Sequence, residues 1–255
     1  MFSSNIVSKK FNNKRLDLFL VCMGIVKSRQ RAVSLIMSGN VYITDEKIDK
    51  PGKLIKNRQV IRIKKNDNPW VSRGGLKLAK AIDNFKINVK NKICADLGCS
   101  TGGFSDVLLK NGAKKIFAID VGYGQFDWRL RNSKNIILLE RTNAKFVNSE
   151  VITELVDLLV CDVSFISLKK VILPFKNLLK KKFEIVALIK PQFEASKELV
   201  GKKGIIRDEK VHSNVCVNIH SWFVENFSPD VLEIINSPIL GQKGNKEFLI
   251  HVKKS

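Results

Sequence analysis

The sequence predicts an α/β protein in which a small α+β module precedes a larger domain with a mixed seven-stranded sheet. Beyond residue 90, short apolar runs alternate with helical patterns, and each run suits a strand that is buried on both faces. Before residue 66, two short amphipathic helices precede strand-like segments that are separated by turn residues. These two patterns define the predicted fold class.

Seven apolar runs are the strand candidates of the larger domain, and only residues 236–246 separate the last two. This connection is too short for the crossover helix of a parallel pair, so we expect an antiparallel final pair. The runs are Ile93–Leu97, Ile116–Ile119, Ile136–Leu139, Leu158–Cys161, Ile185–Ile189, Val231–Ile235 and Phe248–Val252. The pattern favours the class I, Rossmann-like fold of S-adenosylmethionine-dependent methyltransferases over a dinucleotide dehydrogenase.

Composition and turn residues divide the chain into four parts. We expect a flexible lead-in over residues 1–13, because this segment is polar and rich in lysine. The small module is predicted over 14–65, a linker over 66–71 and the larger domain over 72–255.

The charge of the chain indicates a polyanionic partner. The 255 residues carry a formal net charge of +21. Residues 1–70 hold fifteen lysines and arginines against five acidic residues, so nearly half of the net positive charge lies in little more than a quarter of the chain. This placement predicts that the small module binds RNA, although a generally lysine-rich composition is a simpler explanation of the charge itself.

Cysteine usage and apolar patterning indicate the compartment. The five cysteines show no metal-type spacing, so we expect a reducing environment and no metal site. Residues 1–10 lack the apolar core of a signal peptide, and no apolar run is long enough to span a bilayer. We therefore expect a cytoplasmic protein without stable membrane association. We also expect a monomer, although no feature of the sequence determines the oligomeric state.

A glycine-rich turn, Asp96-Leu97-Gly98-Cys99-Ser100-Thr101-Gly102-Gly103-Phe104, joins the first strand of the larger domain to a helix. Such a turn brings backbone N–H groups close to a ligand. The Gly-x-Gly-x-x-Gly pattern of dinucleotide sites is absent, because position 100 is not glycine. Asp96 and Asp162 are carboxylates at strand ends, and they favour a cationic sulfonium ligand over a pyrophosphate. A simpler explanation of Asp96 is that it caps the following helix.

We therefore predict an S-adenosylmethionine site at this turn, with Asp120 at the end of the second strand holding ribose hydroxyls. The predicted cofactor-binding residues are Asp96, Gly98, Ser100, Thr101, Gly102, Gly103, Phe104, Asp120, Asn143 and Asp162.

Two clusters indicate the methyl acceptor. Cys161-Asp162-Val163-Ser164-Phe165 lacks the prolines of amino-group methyltransferases, and Cys161 lies within a strand, where core packing explains it better than nucleophilic chemistry. Lys190-Pro191-Gln192-Phe193-Glu194 places a lysine at the ligand edge of the sheet. A ribose hydroxyl is a poor nucleophile at neutral pH, and a buried lysine beside a second cation, here Lys77, is suited to assist its deprotonation. Asp162 and Glu247 are candidates to orient the amines.

Five motifs in order resemble the TlyA family of bacterial ribosomal RNA 2′-O-methyltransferases, once called haemolysins, with a catalytic domain similar to the RrmJ/FtsJ group. The motifs are Val71-Ser72-Arg73-Gly74-Gly75-Leu76-Lys77-Leu78, the turn from Asp96 to Phe104, Asp120-Val121-Gly122-Tyr123-Gly124-Gln125, Cys161-Asp162-Val163-Ser164-Phe165-Ile166-Ser167 and Ile189-Lys190-Pro191-Gln192-Phe193-Glu194. The resemblance implies S-adenosylmethionine as cofactor and a cytidine ribose of 16S and/or 23S RNA as target. It implies a catalytic set of Lys77, Asp162, Lys190 and Glu247.

Three segments of the small module resemble the S4 RNA-binding domain: Lys14-Arg15-Leu16-Asp17, Val26-Lys27-Ser28-Arg29 and Ile36-Met37-Ser38-Gly39-Asn40-Val41. Since that family holds RNA phosphates with arginines near its helix starts, the resemblance implies RNA contacts for Arg15, Arg29 and Arg31. We also expect Arg73 to bind RNA, with ribosomal RNA or ribosomal subunits as partners. Two other classes stay open: a non-catalytic ribosome-binding or assembly factor on a methyltransferase scaffold, and a membrane-active haemolysin.

Overall fold

The structure, a computed structural model, describes residues 2–26, 28–37, 39–64, 68–201, 203–241 and 243–255. The chain divides into two compact units, Met1–Pro69 and Trp70–Ser255. Lys27 and Ser38 of the S4-like segments, and residues 66 and 67 of the predicted linker, lie outside the described residues. The predicted domain limits stay predictions.

The first unit is a small α+β fold. Its elements are strands β1 (Phe2–Ile6), β2 (Lys14–Arg15), β3 (Val41–Ile43), β4 (Glu46–Ile48), β5 (Leu54–Ile55) and β6 (Val60–Lys64), helices α1 (Leu16–Cys22) and α2 (Arg29–Met37), and a 3-10 helix, Lys9–Phe11. Strands β1, β6, β3 and β4 form an antiparallel sheet in this order, and β2 pairs with β5. Phe19 of α1 and Ile36 of α2 share one core with Ile61 of β6.

The N-terminal segment differs from the predicted flexible lead-in. Phe2–Ile6 form an edge strand paired antiparallel to β6, with Phe2 opposite Lys64. Val7, which follows, is buried in the core of this unit. The prediction was wrong here because an edge strand is held by backbone hydrogen bonds to its neighbour, which a polar composition does not reveal.

The second unit is an α/β fold. Its strands are β7 (Ile93–Leu97), β8 (Lys115–Ile119), β9 (Ile136–Leu139), β10 (Val156–Cys161), β11 (Leu179–Ile189), β12 (Val231–Asn236) and β13 (Phe248–Lys254). Its helices are α3 (Gly74–Asn84), α4 (Gly103–Lys110), α5 (Trp128–Arg131), α6 (Leu168–Ile172), α7 (Pro191–Glu194) and α8 (Glu209–Phe227), with 3-10 helices at Ala144–Phe146, Leu173–Leu178 and Lys197–Leu199.

The seven strands form one mixed sheet in the order β12-β13-β11-β10-β7-β8-β9. Strand β13 runs antiparallel to both β11 and β12, which confirms the predicted antiparallel final pair. Because β13 is reversed, its first residue, Phe248, lies opposite Ile189, the last residue of β11. The start of β13 therefore shares the sheet edge at which the parallel strands end.

Both faces of this sheet are covered, as the continuous apolar runs predict. Ile93, Ala95 and Leu97 of β7 pack in one core with apolar residues of α6 and α8. Cys94, on the opposite face of β7, packs in a second core with residues of α3 and α4. No helix in the described part of the chain combines the length and apolarity that a bilayer span requires.

Candidate active site

A cavity of about 680 Å³ opens where β7, β10 and β11 end. Three segments that follow these strands contribute Gly98, Asp162 and Lys190 to its lining. Helix α3 contributes Lys77, and the segment before β13 contributes Glu247. The carboxyl edge of parallel strands is where open α/β sheets bind their ligands, and the volume suits a small organic molecule.

The structure brings the four predicted catalytic residues together. Lys77 Nζ lies 2.7 Å from Glu247 Oε2 and 3.4 Å from Asp162 Oδ2. Lys190 Nζ lies 2.6 Å from Asp162 Oδ1. Lys77, Lys190 and Glu247 are only 8%, 7% and 5% exposed. Asp162 therefore links two buried ammonium groups, and two carboxylates balance their charge.

Asp162 remains a carboxylate in this environment. Burial alone would raise the pKa of its carboxyl, but the nearby charges of Lys190 and Lys77 outweigh burial and hold the pKa below its ordinary value. Within the described residues, neither Asp162 Oδ1 nor Glu247 Oε2 accepts an aligned hydrogen bond, although a lysine ammonium lies close to each. Charge rather than hydrogen-bond direction thus holds these pairs, and the ammonium protons can turn towards a substrate oxygen.

Ser164 fixes the orientation of Lys190. Lys190 Nζ donates a hydrogen bond of 2.9 Å to Ser164 Oγ, which also lines the cavity. An ammonium group has three donors, and the hydrogen bond to Ser164 engages one of them. Sequence reasoning assigned no role to Ser164, although it lies only two residues after Asp162.

The glycine-rich turn packs closely against the exit of β10. Gly98 and Gly102 have φ values of +77° and +90°. A Cβ atom at Gly98 would lie 2.9 Å from the backbone carbonyl oxygen of Asp162, so a side chain there would displace the turn. The predicted cofactor residues that line the cavity are Gly98, Ser100, Thr101, Gly103, Phe104 and Asp162. Gly102, Asp96, Asp120 and Asn143 do not line it.

Asp96 is completely buried at the end of β7. Its Oδ2 accepts a hydrogen bond of 2.6 Å from Ser105 Oγ, whereas no described residue donates to its buried Oδ1. Burial raises the pKa of Asp96 to about 7, and the charge of Asp162 adds to this effect. A buried carboxyl with one unsatisfied oxygen fits a cationic group in the neighbouring cavity.

Asp120 and Asn143 make local contacts instead. The two carboxylate oxygens of Asp120 accept hydrogen bonds from Ser100 N at 2.8 Å and Gly122 N at 2.7 Å, which join the end of β8 to the glycine-rich turn. Asn143 Oδ1 accepts from Lys145 N and caps a 3-10 helix. Cofactor contacts of both residues stay predictions.

An exposed aromatic side chain projects from the segment after β10. Phe165 is 88% exposed, lines the cavity and has a φ of +64°, which is strained for a bulky residue. Its ring lies 5.0 Å from that of Phe193, measured between centroids. Sequence reasoning assigned Phe165 no role, because exposure and backbone strain are not visible in a motif.

Two cysteines lie close to the cavity. Cys99 lines it, and Cys161 is completely buried at the end of β10. Burial raises the pKa of both thiols, that of Cys161 to about 12. Since the thiolate is the nucleophilic form of cysteine, these residues do not suit covalent chemistry at neutral pH. The structure favours the core interpretation of Cys161.

In the first unit, two predicted RNA-binding arginines hold a buried carboxylate. Arg15 donates to both oxygens of Asp17, at 3.0 and 2.9 Å, and Arg29 Nε donates to Asp17 Oδ2 at 3.0 Å. The hydrogen bonds from Arg15 are the main reason that the pKa of Asp17 falls to about 2. The two arginine side chains are still 43% and 59% exposed, so a structural role leaves both accessible to RNA.

The remaining two predicted RNA-binding residues lie in separate units. Arg31, on α2 of the first unit, is exposed. Arg73, just before α3 of the second unit, is exposed and lines the cavity. RNA contacts of all four arginines stay predictions.

The fold and the cavity together define a class I methyltransferase. Its two features are a mixed sheet in which β13, second from one edge, is reversed, and a glycine-rich turn at the carboxyl edge of the parallel strands. Residues 70–254 match the family described as FtsJ-like methyltransferase, and residues 14–61 match the S4 domain.

Full-length relatives share both parts. The chain is 37% identical to the 16S/23S rRNA (cytidine-2′-O)-methyltransferase TlyA of Mycobacterium tuberculosis, over 94% of this chain and 89% of that protein. It is 43% identical to hemolysin A of Brachyspira hyodysenteriae, over 93% of this chain and 98% of the relative. A solved structure from Streptococcus thermophilus, described as a candidate hemolysin, superposes with a TM-score of 0.73 at 37% sequence identity. The superposition covers 96% of this chain and 90% of the S. thermophilus chain. The chain therefore belongs to the TlyA family of FtsJ-like methyltransferases with an S4 domain.

Proposed function

We propose that the protein transfers a methyl group from S-adenosylmethionine to the ribose 2′-hydroxyl of a cytidine in 16S and/or 23S ribosomal RNA. The observation that carries this proposal is the assembly of Lys77, Asp162, Lys190 and Glu247 beside the glycine-rich turn. The name of the M. tuberculosis relative supports the nucleoside and the RNA.

The cofactor fits the acidic and glycine-rich side of the cavity. Gly98, Ser100 and Thr101 line this side of the cavity and would border the bound cofactor, and the carboxyls of Asp96 and Asp162 would face its cationic end. When bound, S-adenosylmethionine supplies a methyl group on a positively charged sulfur.

In the proposed mechanism, Lys190 acts on the attacking oxygen. Its ammonium group, held by Ser164 and Asp162, donates a hydrogen bond to the 2′-oxygen and stabilises the negative charge that develops there, while the hydroxyl proton leaves to solvent as the oxygen takes up the methyl group. Lys77 and Glu247 hold Asp162 in place through the second ion pair. Positioning of this kind contributes roughly 7–11 kcal/mol in favourable cases.

The target nucleotide must leave its helical stack to reach a buried lysine. Phe165 offers an exposed aromatic ring at the cavity, and it packs against the tilted ring of Phe193. Stacking on such a ring compensates for the stacking energy that a base loses when it is extruded from RNA.

Ribosomal RNA, free or within a subunit, is the proposed partner, and the S4 unit supplies its recognition through Arg15, Arg29 and Arg31. Because ribosomal RNA is the proposed substrate, we propose that the protein acts in the cytoplasm, and that it acts as a monomer.

Methyl transfer from radiolabelled S-adenosylmethionine tests the proposed function. Purified protein is offered free rRNA, 30S and 50S subunits and 70S ribosomes from cells that lack it, and 2′-O-methyl positions are mapped by primer extension. We expect label at a cytidine ribose in at least one of these substrates. Cofactor binding without label in any of them would favour the assembly-factor alternative, and lysis of erythrocytes without the methyl donor would favour a haemolysin.

A further inference from the structure

Two turns of the same construction border the active-site cavity. The first spans residues 201–205, between α7 and α8, and the second spans 241–245, between β12 and β13. We name them the twin turns. Both read Gly-x-Lys-Gly, and their second residues, 202 and 242, lie outside the described residues.

The backbone geometry of the twin turns is the same. The fourth residue donates to the carbonyl of the first, Gly204 to Gly201 at 2.7 Å and Gly244 to Gly241 at 2.9 Å. The first residue donates to the carbonyl of the fifth, at 3.3 Å in the first turn and 2.9 Å in the second. Gly204 and Gly244 have φ values of +73° and +89°, so each turn depends on its glycine. Both turns therefore carry a lysine at the same position, immediately before that glycine.

Asn245 fastens one twin turn to the other. It is 3% exposed, its Nδ2 donates to Gly204 O at 2.8 Å and its Oδ1 accepts from Ile206 N at 3.0 Å. Asn245 also precedes Glu247 of the catalytic set by two residues. The position of both turns is thus fixed relative to the residues that surround the target oxygen.

The lysines of the twin turns, Lys203 and Lys243, are exposed. Lys243 lines the cavity, and its Nζ lies 3.9 Å from the position that a Cβ of Gly204 would occupy, so it reaches the first turn. In the same loop Lys246 pairs with Glu209 at 2.6 Å, whereas the described residues place no carboxylate within ion-pair distance of Lys203 or Lys243.

This charge at the cavity edge is uncompensated. The acidic residues that line the cavity are Asp162 and Glu247, and Lys77 and Lys190 already balance them. Lys243 and Arg73 therefore remain as excess positive charge on the lining, and Lys203 directly precedes Gly204, which also lines the cavity. Excess positive charge at the edge of a cavity favours binding of the phosphates of a polyanion.

We propose that Lys203 and Lys243 of the twin turns form a phosphate-binding site, which holds the RNA backbone next to the methylated ribose. This inference rests on the proposed function and deepens it by naming a contact outside the S4 unit. The site reads the backbone rather than the base, so it contributes affinity and position but no sequence preference.

The double variant Lys203→Ala/Lys243→Ala tests this site in the full-length protein. The matched control, Lys181→Ala/Lys182→Ala, removes the same charge near the start of β11, at the opposite sheet edge. Binding to deproteinised rRNA is measured between 50 and 200 mM salt, together with KM for rRNA, kcat and S-adenosylmethionine affinity.

For the twin-turn variant we expect a roughly tenfold rise in KM and a salt slope that is smaller by about 2, since each phosphate contact contributes about 0.9. Its kcat and cofactor affinity should stay within about twofold of wild type, and Lys203→Arg/Lys243→Arg should retain most of the binding. Equal salt slopes in the twin-turn variant and the control would overturn the proposal, as would a fall in kcat without a change in slope. RNA binding is measured separately from methyl transfer, so an inactive wild type would contradict the proposed function and leave this test decisive.

Discussion

Lys190 Nζ and Asp162 Oδ1 lie 2.6 Å apart although they follow different strands, β11 and β10. The parallel register of these strands places Cys161 opposite Ala187, so both strands end at the same edge. The pair is therefore a product of the sheet. Asp162 also contacts a second lysine, Lys77, so its carboxylate keeps a partner when Lys190 is replaced.

Lys190→Ala is expected to lower kcat by roughly 10²–10⁴-fold, the usual contribution of a group that acts on a reacting proton. Because Asp162 keeps Lys77 as a partner, thermal unfolding and rRNA affinity should change little. Single-turnover methyl transfer with saturating rRNA measures the effect. Turnover within threefold of wild type would remove Lys190 from the proposed mechanism.

Phe165→Ala is expected to lower kcat/KM. The corresponding activation free energy should rise by about 1–3 kcal/mol, the range for stacking of one base on an aromatic ring. The free protein should lose no stability, since the side chain is 88% exposed and its backbone is strained. Phe146→Ala is the control, because Phe146 is 70% exposed and does not line the cavity. Equal kinetics for the two variants would exclude stacking on Phe165.

Arg15→Ala is expected to loosen the S4 unit as well as to weaken RNA binding, because Asp17 is fully buried and relies on this guanidinium. Amide hydrogen exchange in α1 and α2 of the full chain should quicken. Arg31→Ala, which removes an exposed arginine of the same unit, should weaken rRNA binding without this change in exchange. Unchanged exchange in the Arg15 variant would contradict the structural role.

Asp96→Asn is expected to flatten part of the pH dependence of stability. The folded protein binds a proton at Asp96 with a pKa of about 7, against an ordinary value of 3.8, so the free energy of unfolding falls as pH rises between these values. The cofactor-free variant should therefore melt at a higher temperature than wild type at pH 8 but not at pH 4.

Melting curves across this range, with Asp83→Asn as an exposed control, measure the effect. The same Asp96 variant should bind S-adenosylmethionine more weakly, because it would lose the proposed interaction of the buried carboxyl with the cationic end of the cofactor. A variant that follows the pH profile of the control would show that Asp96 titrates as an ordinary carboxyl.

Much of the second unit was predictable because its signals are local. An apolar run such as Ile185–Ile189 marks a buried strand without knowledge of its neighbours, and the short final connection requires an antiparallel pair. The confirmed fold class follows from these features.

Long-range contacts were harder to predict. Strand β1 depends on pairing with β6, and the side chain of Asn245 acts through backbone groups of a loop some forty residues earlier in the chain. No periodicity or motif encodes such pairings. The sequence makes Glu247 a candidate to orient the amines, the resemblance implies its place in the catalytic set, and the reversed strand β13 gives the physical basis for its position beside Lys77.

The position of β13 also sets the order in which the catalytic unit can assemble during synthesis. Strand β12 is made earlier, yet it borders only β13 in the sheet, so it has no pairing partner until residues 248–254 have left the ribosome. Glu247 directly precedes this strand. Closure of the sheet and completion of the catalytic set are therefore one late event, and a nascent chain that lacks this strand exposes an open β11 edge to chaperones and proteases.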